Sequence, residues 1–277
     1  MSRLVLSDVH ANSAALEAVL GAEPGYEEVL FLGDAVDYGP DPNATVDLLS
    51  NLEGAFLMGN HDRKMIRSPK ARRPDGRRDF SQWTRDTLTA EHLAELRTYR
   101  DTAITEVGGR RVRLHHGDFR DRIDDLDITR RLTPRNEYGD FDAVAACFDA
   151  DVILFGHSHE QFELTVNGTR FVNPGSVGRS NRNGIAAQYA VIDDGHIKLH
   201  ETYFDATETI SAMETISIDI SPTMWRRCLK RELYRVRRES GSIPTPEHIA
   251  DTSRYQTAHF VDEFGSLEAA LSFAGLD

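Results

Sequence analysis

Cysteine, lysine and long apolar runs are all scarce in this chain, and each shortage closes off a class of protein. Among 277 residues only Cys147 and Cys228 are cysteines, far apart and inside stretches that read as helical. This argues against a disulfide framework and for a reducing compartment, the cytoplasm, with both thiols expected to be buried. Met1-Ser2-Arg3 passes straight into Leu4-Val5-Leu6, too brief an apolar run for a signal peptide. No later stretch approaches the ~20 apolar residues of a membrane-spanning helix. Lysine occurs only at Lys64, Lys70, Lys198 and Lys230, so arginine supplies nearly all the positive charge. The formal net charge is −13, against a general grip on nucleic acid, because affinity for phosphate backbones comes largely from Lys and Arg neutralisation.

A content of 40% hydrophobic and 28% charged residues describes an ordinary globular protein, not a disordered or fibrous one. At this length one large domain with appendages is the expectation. Residues 3–7 form a short apolar strand, and 11–20 follow with apolar residues at helical spacing, Asn12 or Ser13 being available as the cap. The pattern repeats: a strand at 29–32, a helix opened by Asp41-Pro42, and a strand at 55–58. Alternation of this kind favours a parallel sheet whose polar loops gather at the carboxyl ends of its strands. Residues 63–100 read as a helical, polar cap containing a basic loop at 72–78. Three hairpins follow over Gly108-Gly109, Asn167-Gly168 and Asp194-Gly195, with a helix at 142–148 and a buried strand at 152–155 between them. The second half is therefore expected to be mostly antiparallel. Beyond Phe204 the pattern turns helical, with helices at 222–238, 245–253 and 266–273.

Five polar clusters stand where hydrophobic strands run out: Asp8-Val9-His10, Gly33-Asp34, Gly59-Asn60-His61-Asp62, His116-Gly117 and Gly156-His157-Ser158-His159. Any one is a weak signal, more often a capped turn or a surface histidine pair than a ligand. In this order they describe a binuclear metal site. Carboxylate oxygen and imidazole nitrogen suit divalent ions such as Mn, Fe, Zn or Ni, and no cluster contains a thiolate. Asp34 is the natural bridging carboxylate, since Gly33 lets the backbone approach closely at the strand end. Asp8, His10 and His159 would complete one ion, and Asn60, His116 and His157 the other. Two cations ~3.5 to 4 Å apart can clamp a phosphoryl group and turn a bridging water into a hydroxide nucleophile. His115 competes with His116 as ligand, but it is expected to point off the other face of its strand.

Over residues 3 to 200 this pattern resembles the calcineurin-like metallophosphoesterase superfamily, whose five blocks are matched in full. Tyr38-Gly39-Pro40-Asp41-Pro42 and Asn173-Pro174-Gly175-Ser176-Val177-Gly178 look like its small prokaryotic phosphodiesterase branch in particular. Asp118-Phe119-Arg120-Asp121 departs from the Ser-Pro that often follows the fourth block in that branch. The resemblance implies an α/β two-sheet sandwich flanked by helices over 1–204, including the cap at 63–100, and the change of pattern beyond Phe204 makes 205–277 a separate helical C-terminal appendage. It also implies a hydrolase with two divalent ions, manganese first and iron, nickel or zinc as alternatives. In it His61 would protonate the leaving alkoxide and Asp62 would orient the His61 ring. A phosphodiesterase is the leading expectation. A protein phosphatase, a dinucleotide polyphosphate hydrolase and a non-catalytic scaffold are the alternatives.

Tyr38, Arg120, Arg179 and Arg182 lie near the motif loops and are candidates to hold phosphate oxygens. The basic helix at 222–238 offers a surface for RNA or an acidic partner, though a charge run of this kind more often neutralises acidic neighbours on its own surface. His92, His196, His200, His248 and His259 are assigned surface or structural roles.

Overall fold

The computed structural model describes residues 2–67, 79–119, 132–181, 183–216, 218 and 222–277. The basic loop at 72–78, Arg120, Asp121 and Arg182 lie outside the described residues. The first half follows the expected alternation: β1 (Arg3–Leu6), α1 (Ser13–Ala22), β2 (Glu28–Phe31), α2 (Pro42–Ser50), β3 (Gly54–Phe56) and α3 (Asn60–Ile66). The cap then contributes α4 (Phe80–Thr87) and α5 (Ala90–Leu96). The hairpin of β4 (Thr102–Val107) and β5 (Arg110–His115) leads through α6 (Tyr138–Cys147) to β6 (Val152–Phe155). Two more hairpins follow, β7 (Gln161–Val166) with β8 (Thr169–Pro174) and β9 (Ala186–Asp193) with β10 (His196–Tyr203). The chain ends in α7 (Ala206–Thr215), α8 (Pro222–Ser240), α9 (Pro246–Thr252), α10 (Thr257–Phe264) and α11 (Leu267–Ala274). Of these, α7 and α10 were not anticipated from the pattern.

The strands form two five-stranded sheets, β10-β9-β1-β2-β3 and β4-β5-β6-β8-β7. In the first, β1, β2 and β3 are parallel and the β9-β10 hairpin adds antiparallel strands against β1. The second half is mostly antiparallel, as expected, through its three hairpins, while β5, β6 and β8 run parallel through the middle of the second sheet. Hairpin turns are local and legible, whereas the joins between hairpins are made by residues remote in sequence.

Alternating side chains assign the faces. Val5, Leu30, Leu114, Leu154 and Val172 fill the space between the sheets. Leu4, Leu6, Val29 and Phe31 point outward from the first sheet beneath α1 and α2. Ile153, Phe155 and Phe171 cover the outer face of the second together with Phe141 and Val144 of α6.

The C-terminal helices are not a detached appendage. Ile210, Leu229, Leu233, Ile249, Phe260 and Leu271 are buried in the same cluster as Leu4 and Phe31. A smaller cluster joins Phe80 of α4 to Met213 of α7 and Met224 and Cys228 of α8, with Tyr38 against it. Cap and tail thus meet beside the strand-end loops. Cys228 is buried as expected, but Cys147 is exposed, and neither is in a disulfide. Among the described residues no helix is long and apolar enough to cross a membrane.

Candidate metal centre

Every motif loop leaves the carboxyl end of a strand: Asp8 and His10 follow β1, Asp34 follows β2, Asn60 and His61 follow β3, His116 follows β5, and His157 and His159 follow β6. Asp8, His10, Asp34, His157 and His159 all have positive φ, between 51 and 67°. Such conformations cost a non-glycine residue on the order of 1–3 kcal/mol each. Main-chain bonds between loops over-determine them: Asp8 N–H donates to Gly33 O at 2.9 Å, His10 N–H to Asp34 O at 3.0 Å, and Gly178 N–H to Asp8 O at 3.1 Å. The loops approach so closely that a Cβ on Gly156 would lie 1.8 Å from Ser7 Oγ and 2.6 Å from Asp8 Oδ2.

Two groups of donors result, Asp8 with His10 and His159, and Asp34 with His116 and His157, the atoms of each group lying within 4.8 Å of one another. Asn60 joins the second group, its Oδ1 3.0 Å from His116 Nε2. Asp34 Oδ2 lies 3.3 Å from His116 Nε2 and 3.8 Å from His10 Nε2, between the groups. Each buried aspartate spends one oxygen on the protein. Asp8 Oδ2 accepts from Ser7 Oγ at 2.6 Å and His157 N–H at 2.9 Å, and Asp34 Oδ1 accepts from His61 N–H at 2.8 Å. The other oxygens, Asp8 Oδ1 and Asp34 Oδ2, are buried without any hydrogen-bond partner.

The imidazoles are arranged to match. Nδ1 of His10 faces Val36 O at 3.3 Å, that of His116 faces Leu32 O at 2.9 Å and that of His159 faces Arg179 O at 3.2 Å. A proton donated from each Nδ1 leaves a lone pair on Nε2, the tautomer that ligates metal. His10 Nε2 and His159 Nε2 then confront each other at 3.0 Å. Two lone pairs and an unpartnered carboxylate oxygen 3.2 Å from His159 Nε2 form a set that a divalent cation completes. The donor set therefore fits two divalent ions, with Asp8, His10 and His159 able to hold one, Asn60, His116 and His157 the other, and Asp34 reaching both.

The electrostatics point the same way. Burial would raise the Asp8 and Asp34 carboxyls, but neighbouring histidines, His159 for Asp8 and His116 for Asp34, hold both well below the ordinary range. Burial would depress His116, yet Asp34 pushes it up to about 10, a measure of how strongly these carboxylates demand positive charge. Burial keeps His10 low and, with His116, brings His157 down to about 4, so both rings are neutral and able to ligate.

His61 is held as the sequence suggests, but by a different carboxylate. Its Nδ1 lies 2.8 Å from Asp37 Oδ2, which also accepts from Ser81 Oγ at 2.8 Å. Asp62 does not orient the ring. Its oxygens accept from the N–H groups of Asp34, Ala35, Val36 and Gly59 at 2.8, 2.9, 3.2 and 3.0 Å, which ties α3 to the loop after β2. Burial opposes protonation of His61, but Asp34 and Asp37 raise it above its ordinary value. Burial would likewise raise Asp37, while His61 and Lys64 bring it down to about 2.

Tyr38 packs its ring 5.2 Å from His10 and 4.6 Å from His61, and Arg179 lies 3.9 Å above Tyr38. His115 is turned away, accepting from Gly117 N–H at 2.9 Å and stacking on Phe119 at 4.6 Å. On the side of Asn60 and His116 the centre opens into a cavity of about 330 Å³ bounded by Met58, Arg63 and Asp118. On the other side a narrow crevice runs between Tyr38, Arg179 and the tail residues Arg227 and Arg231. Sequence reasoning missed Asp37 and the tail arginines. Asp37 stands three residues beyond Asp34 with no pattern of its own, and the charge run of α8 does not say which arginines face inward.

The calcineurin-like phosphoesterase superfamily domain matches residues 1–194, and the chain belongs to that family of metal-dependent phosphoesterases. An uncharacterised protein of Methanocaldococcus jannaschii, MJ0912, is 27% identical over 227 residues, 70% of this chain and 84% of that one. A metallophosphoesterase from Sphaerobacter thermophilus superposes with a TM-score of 0.66 at 25% identity, covering 82% of this chain and 98% of its own. Hypothetical protein PH1004 from Pyrococcus horikoshii gives a TM-score of 0.66 at 19% identity over 78% of this chain and 94% of its own, a likeness of fold alone.

Proposed function

We propose that this protein is a binuclear metal-dependent phosphodiesterase, with manganese as the first candidate for both ions. Its two free cysteines fit work in the reducing cytoplasm. The observation that carries the reading is the pair of buried, unpartnered oxygens, Asp8 Oδ1 and Asp34 Oδ2, each facing histidine nitrogens. Two divalent ions, when bound, supply Lewis acidity at the phosphoryl oxygens and an activated water. The chain's own residues do the rest. Asp8, His10, Asp34, Asn60, His116, His157 and His159 hold the ions with little reorganisation, because their loops are bonded to one another through the main chain. Asp37 fixes Nδ1 of His61, which leaves Nε2 to carry a proton to the departing alkoxide. Tyr38 and Arg179 border the phosphate position, and the cavity beside Asn60 takes an organic substituent.

The test is His61→Asn. This variant is expected to retain the metal content of the parent while turnover falls about a hundred- to ten-thousand-fold. The loss should be steeper for an alkyl diester than for bis-p-nitrophenyl phosphate, whose leaving group departs unprotonated. Parental turnover of an alkyl diester by the variant would remove His61 from this role. If protein loaded with Mn, Fe, Ni or Zn hydrolyses no diester, monoester or pyrophosphate, a scaffold built on this fold becomes the better account.

A further inference from the structure

We propose that Arg179 and Arg227 form an anion subsite beside the metal centre that takes a second phosphate group of the substrate, with Arg227 of α8 as a specificity-determining residue. The inference rests on the reading of the centre as a phosphoesterase site and adds a substrate class to it.

Four arginines of α8 divide into two sets. Arg226 pairs with Glu263 at 2.6 Å, and Arg235 pairs with Glu232 at 2.7 Å and Glu239 at 2.6 Å. These neutralise acidic neighbours and need nothing more. Arg227 and Arg231 turn instead into the crevice that also contains His10, Tyr38 and Arg179. Arg231 is buried and donates to Gly178 O at 2.8 Å and Gly184 O at 3.3 Å, neutral carbonyl partners that bring no countercharge. Among the described residues no carboxylate pairs with Arg179 or Arg227. Burial, together with Arg179 and Arg231, pushes the Arg227 guanidinium down to about 10. Three like charges in a half-dry crevice repel, and an anion relieves them. The planar guanidinium matches phosphate in a bidentate geometry that lysine cannot reproduce.

The position selects which phosphate. Tyr38 packs beside His10 and His61, and Arg179 lies 3.9 Å over its ring. The Arg179 guanidinium thus stands over the face of a ring that also touches two histidines of the centre, and His10, Arg227 and Arg231 line the same crevice. The guanidiniums are placed for an anionic neighbour of the reacting phosphoryl group, linked to it through an anhydride or through an adjacent hydroxyl. The cavity of about 330 Å³ on the opposite side of the centre leaves space for the organic part.

The experiment is calorimetric titration of the full-length, manganese-loaded chain with inorganic phosphate and with methylenediphosphonate, a non-hydrolysable bisphosphonate pre-saturated with manganese. The parent should bind the bisphosphonate more tightly than phosphate. In Arg227→Gln the ratio of the two affinities should fall about tenfold or more. Arg227→Lys, which keeps the charge and loses the fork, should give an intermediate fall and decides the matter if the glutamine variant does not fold. Arg238→Gln, an exposed change on the same helix, should leave the ratio alone. Equal losses for both probes in Arg227→Gln, an unchanged ratio, or a parent without preference for the bisphosphonate would each overturn the subsite. If the ratio depends on Arg227 but no ester is hydrolysed, the subsite stands and the catalytic reading falls. Hydrolysis with a ratio indifferent to Arg227 gives the reverse.

Discussion

The floor of the centre and its C-terminal wall are held by different forces. The floor consists of strand-end loops in left-handed conformations, locked by main-chain bonds such as Asp8 N–H to Gly33 O and His10 N–H to Asp34 O, and its functional atoms sit on short side chains. The wall consists of Tyr38, Arg179 and long arginines of α8, held by ring stacking and by Arg231 bonding to carbonyls of the 178–184 segment. Short side chains on an over-determined backbone suit metal ligands, which must hold position to within a few tenths of an ångström. Long side chains on a helix suit selection among substrates, because changing one leaves the ligand geometry in place. The family match, which ends at residue 194, contains the floor together with Tyr38 and Arg179 and leaves only the α8 part of the wall outside.

Four changes break or sharpen the contrast, in descending order of effect. Asp34→Asn keeps the shape and the acceptor for His61 N–H but removes the charge shared by both donor groups. We expect loss of bound metal by elemental analysis and a fall in kcat/KM of about a thousandfold or more. A variant with full metal content and parental rate would show that the floor does not depend on this carboxylate. Leu233→Ala removes a fully buried side chain of α8 from the core it shares with the first sheet. The whole protein should lose roughly 2–5 kcal/mol in one cooperative denaturant transition. Two separate transitions would mean that the tail is an independent unit after all.

Asp37→Asn weakens the hold on His61 without touching a ligand. Turnover is expected to drop about 10- to 100-fold at unchanged metal content, with a greater loss for alkyl than for p-nitrophenyl leaving groups. A uniform loss across leaving groups would assign Asp37 a merely structural role. Arg226→Ala tests the outward set of α8 arginines. Its ion pair with Glu263 is partly exposed, so a stability change below about 1 kcal/mol and parental turnover are expected, read by denaturant midpoint and by assay. A large loss of turnover would erase the distinction between inward and outward arginines.

The site was more legible in the sequence than its supports. Ligand blocks are short, local and placed where apolar strands end, so strand periodicity alone puts them at one edge of a sheet. The partner of His61 was misread because Asp62 is its neighbour in sequence. Successive residues on a helix point about 100° apart, so Asp62 on α3 reaches back to backbone N–H groups while His61 faces Asp37 from another loop. The tail was read as separate for a related reason: an apolar helix face shows that something covers it, not what. Cys147 shows the limit at a single residue, helical as read yet on the solvent side of α6.

By itself the sequence determined the donor chemistry: hard and borderline donors without thiolates, an acid candidate in His61, and alternating strands and helices. Those properties depend on residue type and short-range spacing, which the chain carries wherever it folds. The tertiary structure alone decided that Asp37 holds His61, and that Arg227 and Arg231 enter the crevice while Arg226 pairs with Glu263 and Arg235 with Glu232. These are relations between elements far apart in sequence. They come into being only when the two sheets close and the tail packs onto the first of them.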